Sequence, residues 1–263
     1  MIELLFLGTG SAWPRRGQGN TAFLVREARP RLLVDCGPTA LSALAGAGIE
    51  WSGIQHIFLT HKHGDHILGL PILLLRFLQA EPTPLTIIGG ETTLEAARRV
   101  ATIVYPELEE VIHHIQWIPL AEDQGAECSL SLGMRLRTLP AAYPPGVPVL
   151  ALRIEFEAYG ISLAYSADTA AAPHLADLYR GADLLIHEAN FSAVLDPQVD
   201  PAHYGHGTAR DAARLARLAG CKKLALIHMA ARYSDRHDVL RAEAAAEFDG
   251  EIVIPEDGDT LIL

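Results

Sequence analysis

The stretch from Leu59 to His66, which reads Leu-Thr-His-Lys-His-Gly-Asp-His, constrains this chain more than any other feature. It follows the apolar, strand-like residues Ile57 and Phe58. If the chain turns from a strand into a helix here, the side chains of alternate positions point the same way. Imidazoles with a carboxylate suit zinc, and also iron or manganese, so the stretch predicts a metal site without fixing the metal. The four candidate ligands are His61, His63, Asp65 and His66.

The pattern His-x-His-x-Asp-His after an apolar run resembles the signature of the metallo-β-lactamase superfamily. The opening Phe-Leu-Gly-Thr-Gly-Ser-Ala and the later Gly19-Asn20-Thr21 resemble its ribonuclease Z-like branch, and Ser166-Ala167-Asp168-Thr169 is similar to the family's Ser-Gly-Asp-Thr. The resemblance covers nearly the whole chain in the family's order. It implies an α/β fold, the αββα sandwich of two mixed β-sheets with helices on the outer faces, as one domain over residues 1–263.

The resemblance also implies a set of metal ligands. A carboxylate shared by two cations holds them close together, and such a pair activates a hydroxide near neutral pH. The expected cofactor is zinc, up to two ions, with iron or manganese as alternatives. Carried over residue by residue, His61 and His63 belong to a first metal, Asp65, His66 and His228 belong to a second, and Asp168 bridges the two.

One ligand of the family pattern is missing. The family usually places a histidine before the strand predicted at Val149–Phe156, but no histidine stands between His114 and His174. Tyr143 lies roughly in that place, and a phenol with an ordinary pKa of about 10 is a poor ligand at neutral pH. We therefore expect the first metal site to be weakened.

A second constellation indicates acid–base chemistry. The segment from His203, His-Tyr-Gly-His-Gly-Thr-Ala-Arg, resembles the His-Ser-Thr-Ala segment of the ribonuclease Z-like branch, and His206 matches best because Gly-Thr-Ala follows it. In that branch the histidine pairs with the glutamate of His-Glu-Ala, here Glu188. Such a pair can stabilise charge on phosphorus or protonate a leaving oxygen. The alternative for His206 is a histidine that caps a helix or faces solvent. Asp65 is expected to orient the attacking hydroxide.

Other predictions concern secondary structure and residues without an assigned catalytic role. Asp35 follows a predicted strand, and it is either a plain turn residue or, as in the family, a neighbour of the metal loop. Residues Gly69–Gln79 are predicted to form one helix. Val111–Ile118 and Ser129–Leu139 are each predicted to form one strand. His113 and His114 fall in the first of these strands, which places them on opposite faces.

Composition limits the partners. The chain has 263 residues, 49% of them hydrophobic, and a formal charge of −11 from 21 basic and 32 acidic residues. This charge disfavours a protein that binds a phosphate backbone through a broad basic face. Three scattered cysteines, the lack of a basic signal-like start and the lack of an apolar run of about 20 residues favour a cytoplasmic protein with no membrane partner. A homodimer is compatible with the sequence.

The sequence therefore predicts a metal-dependent hydrolase, a phosphodiesterase in which a metal-bound hydroxide attacks a small-molecule or nucleotide diester. The first alternative is the tRNA 3′-processing endonuclease, ribonuclease Z. Those enzymes carry a tRNA-gripping arm where the stretch from Tyr143 to Asp168 leaves room only for a hairpin, which argues against extended RNA binding. The other alternative is a non-hydrolytic metal-binding protein on a degenerate enzyme scaffold, which the missing histidine favours.

Overall fold

The computed structural model describes residues 1–27, 29–79, 84–130, 133–144 and 146–263. The strands, numbered in chain order, are β1 (Glu3–Gly8), β2 (Ala22–Arg26), β3 (Pro30–Val34), β4 (His56–Leu59), β5 (Thr86–Gly90), β6 (Gln116–Leu120), β7 (Ala126–Leu130), β8 (Met134–Pro140), β9 (Leu150–Phe156), β10 (Ile161–Tyr165), β11 (Leu184–Glu188), β12 (Lys223–Ile227), β13 (Glu251–Val253) and β14 (Thr260–Ile262). The helices are α1 (Ala40–Gly46), α2 (Gly64–Ile67), α3 (Leu70–Leu74), α4 (Arg76–Gln79), α5 (Glu91–Val104), α6 (Ala176–Tyr179), α7 (Ala209–Ala219) and α8 (His237–Ala245).

The chain divides into two compact units, and the first contains residues 1–120 and 256–262. Its seven-stranded sheet has the order β14-β1-β2-β3-β4-β5-β6. Strands β14, β1, β2 and β3 pair antiparallel, and β3, β4, β5 and β6 pair parallel. Apolar side chains from α1, α3 and α5, among them Leu44, Leu73 and Ala97, belong to the same buried cluster as residues of the sheet. Burying this apolar surface provides the main favourable free energy of folding for the unit.

The second unit contains residues 121–255 and Leu263, and its sheet repeats the same plan. The strand order is β13-β12-β11-β10-β9-β8-β7, with antiparallel pairing from β7 to β10 and parallel pairing from β10 to β13. Helices α6, α7 and α8 contribute to its buried cluster. Two mixed sheets, each with its own helices, are what the sequence predicted.

Helix α7 shows how the sequence sets these contacts. Thr208 caps its N-terminus in a capping box with Asp211, and Gly220 ends it with a φ of 66°. Glycine adopts this left-handed conformation at a lower cost in free energy than residues with a side chain. The buried face consists largely of alanines, whose small side chains let the helix backbone come close to its neighbours. Its fully buried alanines are Ala209, Ala212, Ala213 and Ala216.

Three predicted elements were wrong. The strand predicted at Val111–Ile118 begins only at Gln116, because residues Ile112–His114 form a 3-10 helix in which His113 and His114 are exposed. The helix predicted at Gly69–Gln79 is divided into α3 and α4, and an i→i+3 hydrogen bond from Leu75 to Ile72 tightens the backbone between them.

The segment Ser129–Leu139, predicted as one strand, instead contains the end of β7 and most of β8. These two strands pair antiparallel, with Leu130 opposite Met134. Ser131 and Leu132, inside the predicted strand, lie outside the described residues. Gly133 has a φ of 73°, which suits a turn and not an extended strand. The glycine was the local signal for this hairpin.

The prediction of one domain over residues 1–263 stays a prediction, as do the homodimer and the cytoplasmic location. Among the helices of the described ranges, none combines the length and the apolar character that crossing a bilayer would require.

Glu243 on α8 is a buried carboxylate that ties three segments of the second unit together. It is 4% exposed and accepts hydrogen bonds from the Ser192 hydroxyl at 2.7 Å and from the backbone N–H groups of Ala193 and Arg210, both at 3.0 Å. Arg210 lies in the first turn of α7, where backbone N–H groups lack partners within the helix. Glu243 therefore fixes the N-terminus of α7 to the segment that follows β11.

We expect Glu243→Ala to lower the free energy of unfolding by roughly 2–4 kcal/mol, because it leaves several buried donors without an acceptor. Urea denaturation of the purified protein measures this. Glu95→Ala on α5, where the glutamate is exposed, is the matched control and should change stability little. Equal stability of the Glu243 variant and the control would show that the carboxylate does not hold these segments.

Candidate metal centre

In the first unit, strand β4 leads directly into the histidine-rich turn and α2. His61 and His66 are fully buried, and the His63 backbone is extended as the N-cap of α2. The Nε2 atom of His61 lies 3.1 Å from Nδ1 of His63, and Nε2 of His66 lies 3.3 Å from a carboxylate oxygen of Asp65. The rings of His61 and His66 have centroids 4.1 Å apart. The structure thus brings these four predicted ligands together.

These separations fit metal binding. Two ligand atoms at the usual zinc distance of about 2.1 Å from one tetrahedral ion lie about 3.4 Å from each other. The pairs His61–His63 and Asp65–His66 are close to this spacing. Neutral imidazole nitrogens and a carboxylate are also the donor types that zinc, iron and manganese accept.

Asp35, at the end of β3, holds the imidazole of His66. Its carboxylate is fully buried, accepts hydrogen bonds from the N–H and hydroxyl of Thr60 at 2.9 and 3.0 Å, and lies 2.8 Å from Nδ1 of His66. Burial raises the pKa of Asp35, while the charge of His66 and the hydrogen bonds from His66 and Thr60 act to lower it. With Nδ1 bonded to Asp35, Nε2 of the imidazole faces the Asp65 carboxylate, so Asp35 orients His66 and is more than a turn residue.

The turn after Asp35 also touches the ligand loop through its backbone. A Cβ on Gly37 would lie 1.8 Å from the carbonyl oxygen of Asp65, so only glycine fits there. The Cys36 N–H donates to the His66 carbonyl at 2.8 Å. These contacts fix the backbone that carries the ligands.

In the second unit, Asp168 and His228 follow the parallel strands β10 and β12. A carboxylate oxygen of Asp168 lies 3.4 Å from Nε2 of His228, and both side chains are almost fully buried. The Asn190 amide donates to the His228 carbonyl at 3.3 Å and lies 3.1 Å from Nδ1 of the ring, which fixes the imidazole. These two predicted ligands therefore have the spacing expected of two ligands of one ion.

Glu188, the last residue of β11, holds His206. The Glu188 carboxylate is fully buried and lies 2.8 Å from Nδ1 of His206, so the predicted pair is present. It also accepts hydrogen bonds from the N–H groups of Thr169 and Asn190 at 3.0 and 2.9 Å. Ligand atoms of Asp168, His206 and His228 all lie within 4.8 Å of one another. His203 is exposed and lies against Tyr204, which leaves His206 as the histidine of this constellation.

The segment that lacks the family histidine runs beside the Asp168 turn. The Ala142 N–H donates to the Thr169 hydroxyl at 3.1 Å, and the Ala170 N–H donates to the Ala142 carbonyl at 2.8 Å. The ring of Tyr143 lies edge-on to His206, with the centroids 5.9 Å apart. Tyr143 is therefore close to the predicted place of the missing ligand.

Sequence reasoning left the role of Asp35 open and missed Thr60 and Asn190. Asp35 and Thr60 directly follow the parallel strands β3 and β4, and Asn190 follows β11 by two residues. Polar residues after successive parallel strands lie at one edge of a sheet, where ligands commonly bind. The position of these residues just after parallel strands was the signal in the sequence that could have indicated their role.

Comparison with known proteins identifies the family. The family model described as Beta-lactamase superfamily domain matches residues 30–229. Ribonuclease Z of Mycobacterium marinum is 31% identical, with 98% of this chain and 97% of that protein covered, and ribonuclease Z of Bacillus velezensis is 32% identical, with 94% of each covered. The crystal structure of the metallo-β-lactamase fold protein YhfI from Bacillus subtilis has a TM-score of 0.80 and 25% identity over 100% of both chains.

These matches confirm the predicted metallo-β-lactamase fold, and with the histidine and aspartate ligands they establish the use of a divalent metal. They also set aside the alternative of a non-hydrolytic scaffold. The chain belongs to the metallo-β-lactamase superfamily, in its ribonuclease Z-like branch, and is a metal-dependent hydrolase.

Proposed function

We propose that this hydrolase is a phosphodiesterase that cleaves a small-molecule or nucleotide diester. The observation that carries the proposal is the pairing of His206 with the buried Glu188 beside Asp168 and His228. A leaving alkoxide or phenoxide needs a proton, and an imidazole oriented by a carboxylate can supply it. A histidine placed only to cap a helix would have no use for a buried carboxylate.

We also propose that the ligands of both units serve one zinc centre of up to two ions. Membership in the superfamily and the imidazole and carboxylate donors support this, and iron or manganese would accept the same donors. When bound, such ions lower the pKa of water enough to make it a nucleophile near neutral pH. The proposed ligands are His61, His63, Asp65, His66, Asp168 and His228.

Side chains of this protein orient the attacking water and transfer the proton. Asp65 accepts a hydrogen bond from the attacking water and orients it towards phosphorus. His206 gives a proton to the leaving oxygen from Nε2. Because Nδ1 of His206 already bonds to Glu188, that donation requires the imidazolium form, and the adjacent carboxylate stabilises its charge.

The charge and the local loops support a small substrate. The net charge of −11 supplies no broad cationic surface for a long phosphate backbone. Strands β9 and β10 are joined by the short turn 157–160, which leaves no arm at this point of the second unit. A diester of a nucleotide or another small molecule needs neither feature.

A second candidate is the tRNA 3′-processing endonuclease. The observation in its favour is that relatives named ribonuclease Z match this chain over nearly its whole length and theirs. The substrate range decides between the two candidates.

We expect zinc-reconstituted protein to hydrolyse bis(4-nitrophenyl) phosphate and to leave carboxylic esters, thioesters and lactams largely intact. The measurement is initial rates on that panel, together with a precursor tRNA that carries a 3′ trailer, with and without chelator. Accurate trailer cleavage far faster than diester hydrolysis would favour the endonuclease. Turnover of the lactam or the carboxylic ester alone would overturn the phosphodiesterase proposal.

Replacing His206 with alanine should lower kcat by about 10²- to 10⁴-fold for poor leaving groups, because it removes the acid. Metal content, measured by mass spectrometry of the dialysed protein, should stay unchanged. His203→Ala is the matched control, since that histidine is exposed three residues away, and it should keep full activity. If His206→Ala turns over like the control, His206 only caps its helix.

The missing histidine predicts unequal metal binding. Site affinity depends on the number and type of ligands, so the site of Asp65, His66, His228 and Asp168 should retain its ion longer than the site of His61, His63 and Asp168. Equilibrium dialysis with metal analysis should show one tight and one weak ion. Tyr143→His should strengthen the weak site. Two ions retained equally by the unaltered protein would contradict this expectation.

A further inference from the structure

Tyr143 has a defined packing position in the second unit. Its ring lies so close to Gly205 that a Cβ on that glycine would come within 2.8 Å of a ring carbon, and within 2.4 Å of Pro144. Gly205 also has a φ of 77°, so both its conformation and its lack of a side chain are needed here. The ring therefore lies against the backbone that immediately precedes His206.

His206 is surrounded by aromatic rings. The His228 ring stacks on it with the centroids 5.4 Å apart and an angle of 27°. The Phe191 ring lies 6.3 Å away, tilted by 46°, and the Tyr143 ring lies 5.9 Å away at 86°. Edge-to-face pairs in this distance range are attractive and depend on orientation. The imidazole thus has the rings of His228, Phe191 and Tyr143 as neighbours in addition to its hydrogen bond with Glu188.

A hydrogen bond at Nδ1 sets the tautomer and the mean orientation of an imidazole, but it leaves the ring a range of torsion angles. Hydrogen bonds tolerate some range of angle, so small changes in the two side-chain torsions of His206 keep its bond to Glu188 and still move Nε2. Small errors in the direction of proton transfer are costly, because the acid must lie within hydrogen-bond reach of the leaving oxygen. Packing of the Tyr143 and Phe191 rings beside His206 opposes these torsional changes.

We propose that Tyr143 is a positioning residue for His206, and that its ring directs the Nε2 atom of His206 towards the leaving group. This inference rests on the proposed function, in which His206 protonates the leaving oxygen. Tyr143 acts through its ring and not as a metal ligand. Tyr143, near the predicted place of the missing histidine, thus supports proton transfer by His206.

Three consequences separate this role from a merely structural one. Loss of the ring lowers kcat and leaves KM nearly unchanged, because only the proton transfer is impaired. The fall in kcat is larger for substrates whose leaving group depends more strongly on protonation. The effect on kcat disappears when His206 is absent, because the effects of substitutions that act through one group are not additive.

The experiment is a double-mutant cycle on aryl methyl phosphate diesters with phenol and 4-nitrophenol as leaving groups. Tyr143→Leu should lower kcat on the order of 3- to 10-fold for the phenyl ester and less for the nitrophenyl ester. Tyr143→Phe should recover most of the activity. In the His206→Ala background, Tyr143→Leu should cause no further loss. Tyr159→Leu, at a half-exposed tyrosine in the 157–160 turn, is the matched control.

A second measurement does not depend on activity. The Nδ1–H proton of His206, bonded to Glu188, should give a downfield proton resonance that is absent in His206→Ala. It should persist in Tyr143→Phe and broaden or vanish in Tyr143→Leu. A sharp, unshifted resonance in Tyr143→Leu would overturn the inference, as would an equal loss of kcat in the presence and absence of His206. If no diester is turned over, the proposed function fails, and the resonance alone then decides the role of Tyr143.

Discussion

Two buried carboxylates, each bonded to one imidazole, are the interactions on which the rest of this site depends. Asp35 lies 2.8 Å from Nδ1 of His66, and Glu188 lies 2.8 Å from Nδ1 of His206. Each carboxylate is fully buried and stands at the end of a parallel strand, β3 in one unit and β11 in the other. Each also accepts bonds from neighbouring N–H groups. A buried carboxylate is stable only with such partners, so each pair requires the surrounding turn to be rigid.

Backbone strain accompanies several turns of the site. Among the described residues, the non-glycine residues with positive φ are Asp35 at 60°, Ala167 at 51° and His228 at 54°. This conformation costs a residue with a side chain about 1–2 kcal/mol. All three follow parallel strands and either carry or precede a side chain of the site. The hydrogen bonds and packing of each unit offset this strain, which is typical of functional positions.

The sequence was most informative where chemistry and spacing coincide. The run from His61 to His66 was a candidate ligand set by residue type and spacing, whereas Asp168 after β10 and His228 after β12 were carried over from the family resemblance. Asn190 could not be assigned, because an amide that fixes a ring is recognised only when strand pairing brings it there. Residues 111–118 and 129–139 were misjudged because apolar periodicity alone does not distinguish a strand from a 3-10 turn or from two strands joined by a hairpin. The resemblance to a family supplied the two-sheet architecture that local patterns leave open.

We have proposed that ligands from both units bind the same metal ions. Anomalous X-ray scattering at the zinc edge, from crystals of the zinc-loaded protein, tests it most directly. We expect anomalous peaks whose ligands include side chains of the His61–His66 loop together with Asp168 or His228. Peaks held by one of these sets alone, or ions bound elsewhere on the protein, would contradict it.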